Sequence, residues 1–200
     1  RKEKNNIYNS AALCTNGKIA FIYDKMLLPT YDVFDEDRYF IPGKNVGVTE
    51  VEIAGKLKKI GIQICEDLWD MDYELKVTNE LAQGGAEMII NISASPFHDG
   101  QPQIRKTLIE QKVRETKTHF IYCNLVGAQD ELIFDGNSVV YNNKGEVIAS
   151  AQSFSEDLVI VNMDSTNIIS EQVFKREETL YSALCLGVND YFDKTGHKKA

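Results

Sequence analysis

The amino-acid sequence predicts a mixed α/β protein in which sheet is covered by helix. Three observations point there. The middle of the chain alternates between short runs rich in branched and aromatic residues and longer charged stretches, reading strand, helix, strand, helix, strand. Two hairpin signals, Asn16-Gly17 and Asn143-Lys144-Gly145, flank that middle. Hydrophobic residues make up 43% and charged residues 26% of 200 positions, the composition of a chain that buries a core.

Each element follows from its pattern. Residues 10–14 and 19–23 are apolar runs on either side of Asn16-Gly17 and read as a hairpin. Residues 59–64 alternate and stop at Cys65. Residues 88–92, 119–126 and 138–141 read as further strands, residues 147–151 complete the second hairpin, and residues 158–163 read as the last strand. Residues 73–83 read as a helix stopped by Gly84-Gly85. Residues 103–117 read as a solvent-facing helix with Ile104, Leu108 and Gln111 on its inner side. Residues 164–178 are polar and weakly patterned, like a linker. Residues 180–192 then form an amphipathic pattern through Leu180, Leu184, Gly187, Val188 and Tyr191 that finds no partner in its own neighbourhood.

Charge and cysteine usage narrow the function classes. A net charge of −8 argues against nucleic acid or an anionic membrane as partner, because both need a basic face. No apolar run approaches the ~20 residues of a membrane span. The chain starts on polar residues and without Met, as a piece of something longer would. Cys14, Cys65, Cys123 and Cys185 are far apart, with neither a zinc pattern nor a disulfide framework, which favours a reducing cytoplasm. Cys14, Cys123 and Cys185 sit among apolar neighbours and are expected in the core.

Cys65 is different. It ends an apolar run and is followed by acid: Gly61-Ile62-Gln63-Ile64-Cys65-Glu66-Asp67-Leu68-Trp69-Asp70. A cysteine at the carboxyl end of a strand stands where α/β folds meet their ligands. Negative neighbours raise a thiol's pKa, so an active Cys65 needs a cation or a positioned base. Lys25, beside an apolar turn with Pro29, is the candidate cation, and His98 is the one credible histidine base. Alternatives stay open on the residues alone: an inert buried cysteine, a Cys65–His98 enzyme of the papain-like sort, a Mg²⁺ site built from Glu66, Asp67 and Asp70, or a non-catalytic assembly module.

Residues 25–43, beginning Lys25-Met26-Leu27-Leu28-Pro29-Thr30-Tyr31, resemble the lysine segment of the glutamine-hydrolysing domain of the glutamine-dependent NAD synthetases, a branch of the nitrilase superfamily. Residues 61–70 resemble its nucleophile segment and residues 91–98 its substrate loop. Residues 130–136 match a further string. Residues 181–191 resemble the helix that opens the attached synthetase domain.

The resemblance implies a four-layer α-β-β-α sandwich, here without its first strands. It implies that residues 1–164 form an amidohydrolase domain, 165–178 a linker and 179–200 the start of a synthetase domain. Cys65 would be the nucleophile that attacks the glutamine side-chain amide, with Lys25 and the backbone N–H after Cys65 stabilising the oxyanion. Tyr31 and Ser95 fall on positions that hold glutamine and Phe34 on one that lines the pocket. Glu36 falls where a glutamate supports the lysine, and Glu66 and Gln101 also belong to the substrate region. Gln101 replaces a residue that is often basic, with Arg105 one helical turn on. The catalytic glutamate of the family has no counterpart among these residues. The implied reaction needs no cofactor; ATP and Mg²⁺ belong to the synthetase domain beyond this chain. The implied partners are L-glutamine, that synthetase domain and further copies in a homo-oligomer, in the cytoplasm. A stand-alone amidase or carbamoylase of the same superfamily is the nearest rival.

Overall fold

The computed structural model describes residues 1–53, 55–170 and 175–199. Its strands are β1 (Lys2–Glu3), β2 (Asn6–Ile7), β3 (Ser10–Thr15), β4 (Lys18–Asp24), β5 (Val48–Ile53), β6 (Lys56–Ile64), β7 (Met88–Ser93), β8 (His119–Asn124), β9 (Val126–Gln129), β10 (Leu132–Asp135), β11 (Val139–Tyr141) and β12 (Val147–Ser150). Its α-helices are α1 (Val77–Gln83), α2 (Gln101–Thr116) and α3 (Arg176–Thr195).

Six strands form one sheet in the order β12-β11-β8-β7-β6-β5. The central three, β6, β7 and β8, are parallel, and antiparallel strands flank them on both sides. Helices α1 and α2 make the two crossovers that parallel pairing requires. The period of two then sorts the side chains. Ile89, Phe120 and Tyr122 face the helices and pack with Val77, Leu81, Leu108, Ile109 and Val113. Ile60, Ile62 and Met88 face the other way and pack with Tyr23, Leu13 and Phe21 of the β3–β4 hairpin. The described layers are therefore helix, six-stranded sheet and hairpin, three layers of the expected sandwich. Gly61 fits because a Cβ there would meet Leu81 side-chain atoms at 3.0–3.2 Å, so α1 lies directly on β6.

Several expectations change. The helix expected from residue 73 begins at Val77, because Tyr73 is extended and its hydroxyl binds Glu66. Helix α2 turns a different face inward. Arg105, Leu108, Ile109, Lys112 and Val113 are buried, while Ile104 is exposed. The two inner charges are neutralised, Arg105 by Asp135 and Lys112 by Asp70. Residues 158–163 form no strand. Leu158 and Ile160 are 85% and 92% exposed, and their β-rich pattern meets no sheet edge. Cys14 and Cys123 are exposed and Cys185 half-buried, not core. Cys14 sits at a register shift near the hairpin end, and Cys123 lies on the side of β8 that the hairpin leaves uncovered.

Helix α3 has a partner after all. Ala128 of β9 donates its N–H to Asp190 Oδ2 at 2.5 Å and accepts from Lys194 Nζ. Gly187 lies against Ile133 of β10. Residues 171–174, inside the expected linker, and residue 200, the end of the expected synthetase segment, lie outside the described residues.

Candidate active site

The carboxyl ends of the parallel strands meet at one cleft, as in open α/β sheets generally. Strand β6 delivers Cys65, β7 delivers Ser93 and Ala94, and β8 delivers Cys123 and Asn124. The segment after β4 adds Lys25, Phe34 and Glu36. The cleft has a volume of about 710 Å³.

Cys65 has φ +44°, in the left-handed region. Such a residue costs about 1–2 kcal/mol when it is not glycine. The strain turns the chain sharply out of β6 into a 3-10 turn, Cys65–Leu68, and leaves the side chain on the cleft wall. The turn is tied to β7 by Asn91 Nδ2, 3.5 Å from the Cys65 carbonyl oxygen. Burial pushes the Cys65 thiol up. The charge of Lys25 and hydrogen bonds from the Ala94 backbone and Ser93 pull it down, and Glu66 pushes it up again.

Lys25 is 1% exposed, an unusual place for a lysine unless it is paired. Its Nζ lies 2.5 Å from Glu36 Oε1. Glu36 in turn accepts from Asn9 Nδ2. A buried ammonium is thus held at the cleft beside a thiol, where it can stabilise negative charge that develops on a bound carbonyl.

The acids after Cys65 all have protein partners. Glu66 accepts from Tyr31 and Tyr73 hydroxyls at 2.8 and 3.1 Å. Asp67 accepts four hydrogen bonds, from Tyr23 Oη, Ile64 N and the Met26 and Leu27 N–H groups. Asp70 is paired with Lys112 at 2.7 Å. Among the described residues no three His, Cys, Asp or Glu side chains are grouped so that they could hold a metal ion. Burial raises the carboxyl pKa of Glu66, against the opposing pull of Tyr31, Tyr73 and Lys25.

The structure brings Cys65, Lys25, Phe34 and Glu36 together on the cleft wall. Glu66 lies behind Cys65 with Tyr31, whose ring meets Phe34 edge-on at 6.0 Å. Ser95 is buried just beyond the lining residues Ser93 and Ala94, and its N–H is held by Asn124 Oδ1 at 2.9 Å. Gln101 starts α2 and does not line the cleft; Arg105 is committed to Asp135. His98 is exposed, with Nδ1 3.1 Å from the Asp99 carbonyl oxygen, and is absent from the lining. That placement removes support from a Cys65–His98 pair.

Asn124 escaped sequence reasoning. It is 7% exposed, and its side chain reaches Ser95, Asp135 and Gly136. Nothing in its strand pattern signals this. A buried asparagine at a strand's carboxyl end shows its role only when its partners are placed.

The chain is similar to known proteins in sequence and fold. Residues 1–170 match the model of the carbon-nitrogen hydrolase family. A glutamine-dependent NAD(+) synthetase of Synechocystis sp. is 38% identical over 100% of this chain, and one of Thermotoga maritima is 34% identical over 96%. The chain spans 38% and 39% of those two proteins. The solved glutamine-dependent NAD+ synthetase of Acinetobacter baumannii, in complex with ADP, superposes with a TM-score of 0.84 at 32% identity, over 98% of this chain and 37% of that one. The chain belongs to the carbon-nitrogen hydrolase family.

Proposed function

We propose that this chain is the glutamine-hydrolysing part of a glutamine-dependent NAD synthetase. The Cys65 thiolate attacks the side-chain amide carbon of L-glutamine. The carbonyl π electrons move to oxygen, and the oxyanion is stabilised by Lys25 and the backbone N–H of Glu66. The carbon–nitrogen bond breaks, the nitrogen takes the proton that the Cys65 thiol gave up, and ammonia leaves a Cys65 thioester. Water then attacks the thioester, releases glutamate and returns the thiol. Splitting amide hydrolysis through a covalent intermediate gives two easier steps. Tyr31, Phe34 and Ser95 position the substrate, and Glu36 holds Lys25. The observation that carries the reading is the buried Lys25, paired with half-buried Glu36, on the same cleft wall as the strained Cys65.

The ammonia would feed ATP-dependent amidation of deamido-NAD in an attached synthetase domain that uses ATP and Mg²⁺. The division into residues 1–164, 165–178 and 179–200 belongs to the same proposal, with α3 the lead-in to that domain. The test is glutamate release from glutamine and NAD formation by the full-length protein. Cys65→Ala should abolish both with glutamine while NAD formation from free ammonia survives. Glutamine-supported NAD formation by Cys65→Ala at the wild-type rate would overturn the reading.

A further inference from the structure

We propose that Asp67 is a positioning residue that sets the placement of Lys25 relative to Cys65. This rests on the proposed glutaminase reading. Asp67 is 0% exposed. Its Oδ1 accepts from the Met26 and Leu27 N–H groups at 3.1 and 2.9 Å. Its Oδ2 accepts from Tyr23 Oη and the Ile64 N–H, both at 2.8 Å. Met26 directly follows Lys25, and Ile64 directly precedes Cys65. One carboxylate therefore bridges the two chain segments that carry the cation and the thiol, reaching Met26 and Leu27 that lie 41 and 40 residues before it. Tyr23, 1% exposed, fixes the carboxylate from β4.

The chemistry demands such a brace. A displacement of ~1 Å between a catalytic group and the reacting atom can cost ~10²-fold in rate. Lys25 and Cys65 come from elements that are not neighbours in the main sheet, so β-ladder pairing alone does not set their separation. Charge-assisted hydrogen bonds from two backbone N–H groups on one side and one on the other do so directly.

An amide cannot replace this carboxylate. Asp67→Asn keeps one oxygen, but its NH₂ must then face either the Ile64 N–H or the N–H pair of Met26 and Leu27, and one side of the bridge opens. Tyr23→Phe removes one donor and leaves all three backbone bonds. The charged and titratable groups that act on Cys65 are Lys25, which lowers its pKa, and Glu66, which raises it; Arg105, Tyr122 and Tyr31 also interact with it. Moving Lys25 away therefore raises the thiol pKa.

The experiment uses the full-length protein and measures two quantities. One is kcat and KM for glutamine hydrolysis. The other is the pH profile of Cys65 alkylation by iodoacetamide, followed at the Cys65 peptide by mass spectrometry. Asp67→Asn should lower kcat by about 10²-fold with a smaller change in KM, and move the alkylation profile toward higher pH, in the direction of Lys25→Met. Tyr23→Phe should move both the same way by less. A merely structural role would lower the folded fraction without moving the profile. An Asp67→Asn protein that folds and keeps the wild-type profile and kcat overturns the inference. If Asp67→Asn does not fold, Tyr23→Phe decides: a shift toward Lys25→Met supports the bridge, and a wild-type profile overturns it. Lys25→Met with wild-type kcat and profile overturns the glutaminase reading itself, whatever Asp67 does.

Discussion

Replacing Asp135 by alanine should destabilise the contact between α2 and β10 far more than a typical substitution. Asp135 binds Arg105 in two places, Nη1 to Oδ2 at 3.1 Å and Nη2 to Oδ1 at 3.0 Å. The side chains are 3% and 1% exposed. Asn124 Nδ2 adds a third bond at 3.3 Å. Arg105 Nε already has no hydrogen-bond partner. Losing Asp135 leaves a buried guanidinium without a counter-charge, a situation that costs ~3–5 kcal/mol. That is a large share of the ~5–15 kcal/mol that holds a domain together. At about 1.4 kcal/mol per factor of ten, amide protection across α2 and β10 should fall by roughly 10²-fold or more. Hydrogen exchange of the full-length protein, read by mass spectrometry over residues 101–116 and 132–135, measures this. The double variant Arg105→Met/Asp135→Leu should recover most of the loss, since an apolar pair of similar volume is often neutral at such a position. A fall below about tenfold for Asp135→Ala, with no recovery in the double variant, would refute the reasoning, because it would mean that water or another group already screens Arg105.

Other consequences follow from the same geometry. Lys25→Met should lower kcat for glutamine hydrolysis by ~10²–10³ with less effect on KM. Since burial holds the Cys65 thiol up and Lys25 draws it down, the variant's thiol should ionise at higher pH, read as a rightward shift of alkylation against pH. Ser95→Ala should raise KM for glutamine more than it lowers kcat, the signature of lost ground-state binding; an unchanged KM would remove Ser95 from the substrate loop. Gly43→Ala should cost ~1–3 kcal/mol in thermal unfolding and reduce turnover, because its Cβ would stand 2.0 Å from the Asp24 carbonyl oxygen, one residue before Lys25. A wild-type melting temperature would show that the loop gives way freely.

The parallel core was legible because its strands are rich in branched and aromatic residues and bury most of their paired length, and because Gly84-Gly85 stops α1 at the residue expected. Cys65 stood out through its place at the end of such a run. Helix α2 was misread for a definite reason: two of the five residues it buries are Arg105 and Lys112, and a periodicity argument counts each as outward. Their partners, Asp135 and Asp70, lie 30 and 42 residues away, beyond the reach of any local pattern. The acidic string after Cys65 was informative in a different way. It set Cys65 apart from the other cysteines, yet all three acids are themselves buried and each has a hydrogen-bonded task. Cys123 looked like a core residue because its sequence neighbours are apolar. Alternation places it on the sheet face that forms the cleft wall, next to Asn124 and Leu125. The 158–163 run shows the limit of β propensity: a strand needs an edge to join, and propensity does not supply one.

The central claim is that Cys65 is the nucleophile toward glutamine. A diazo-ketone analogue of glutamine, incubated with the full-length protein and mapped by peptide mass spectrometry, tests it most directly. The account predicts a single adduct on Cys65, blocked by excess glutamine and lost in Cys65→Ala. Cys123 is the sharpest control, since it is exposed on the same cleft. An adduct on Cys123, Cys14 or Cys185 with Cys65 unmodified would contradict the account.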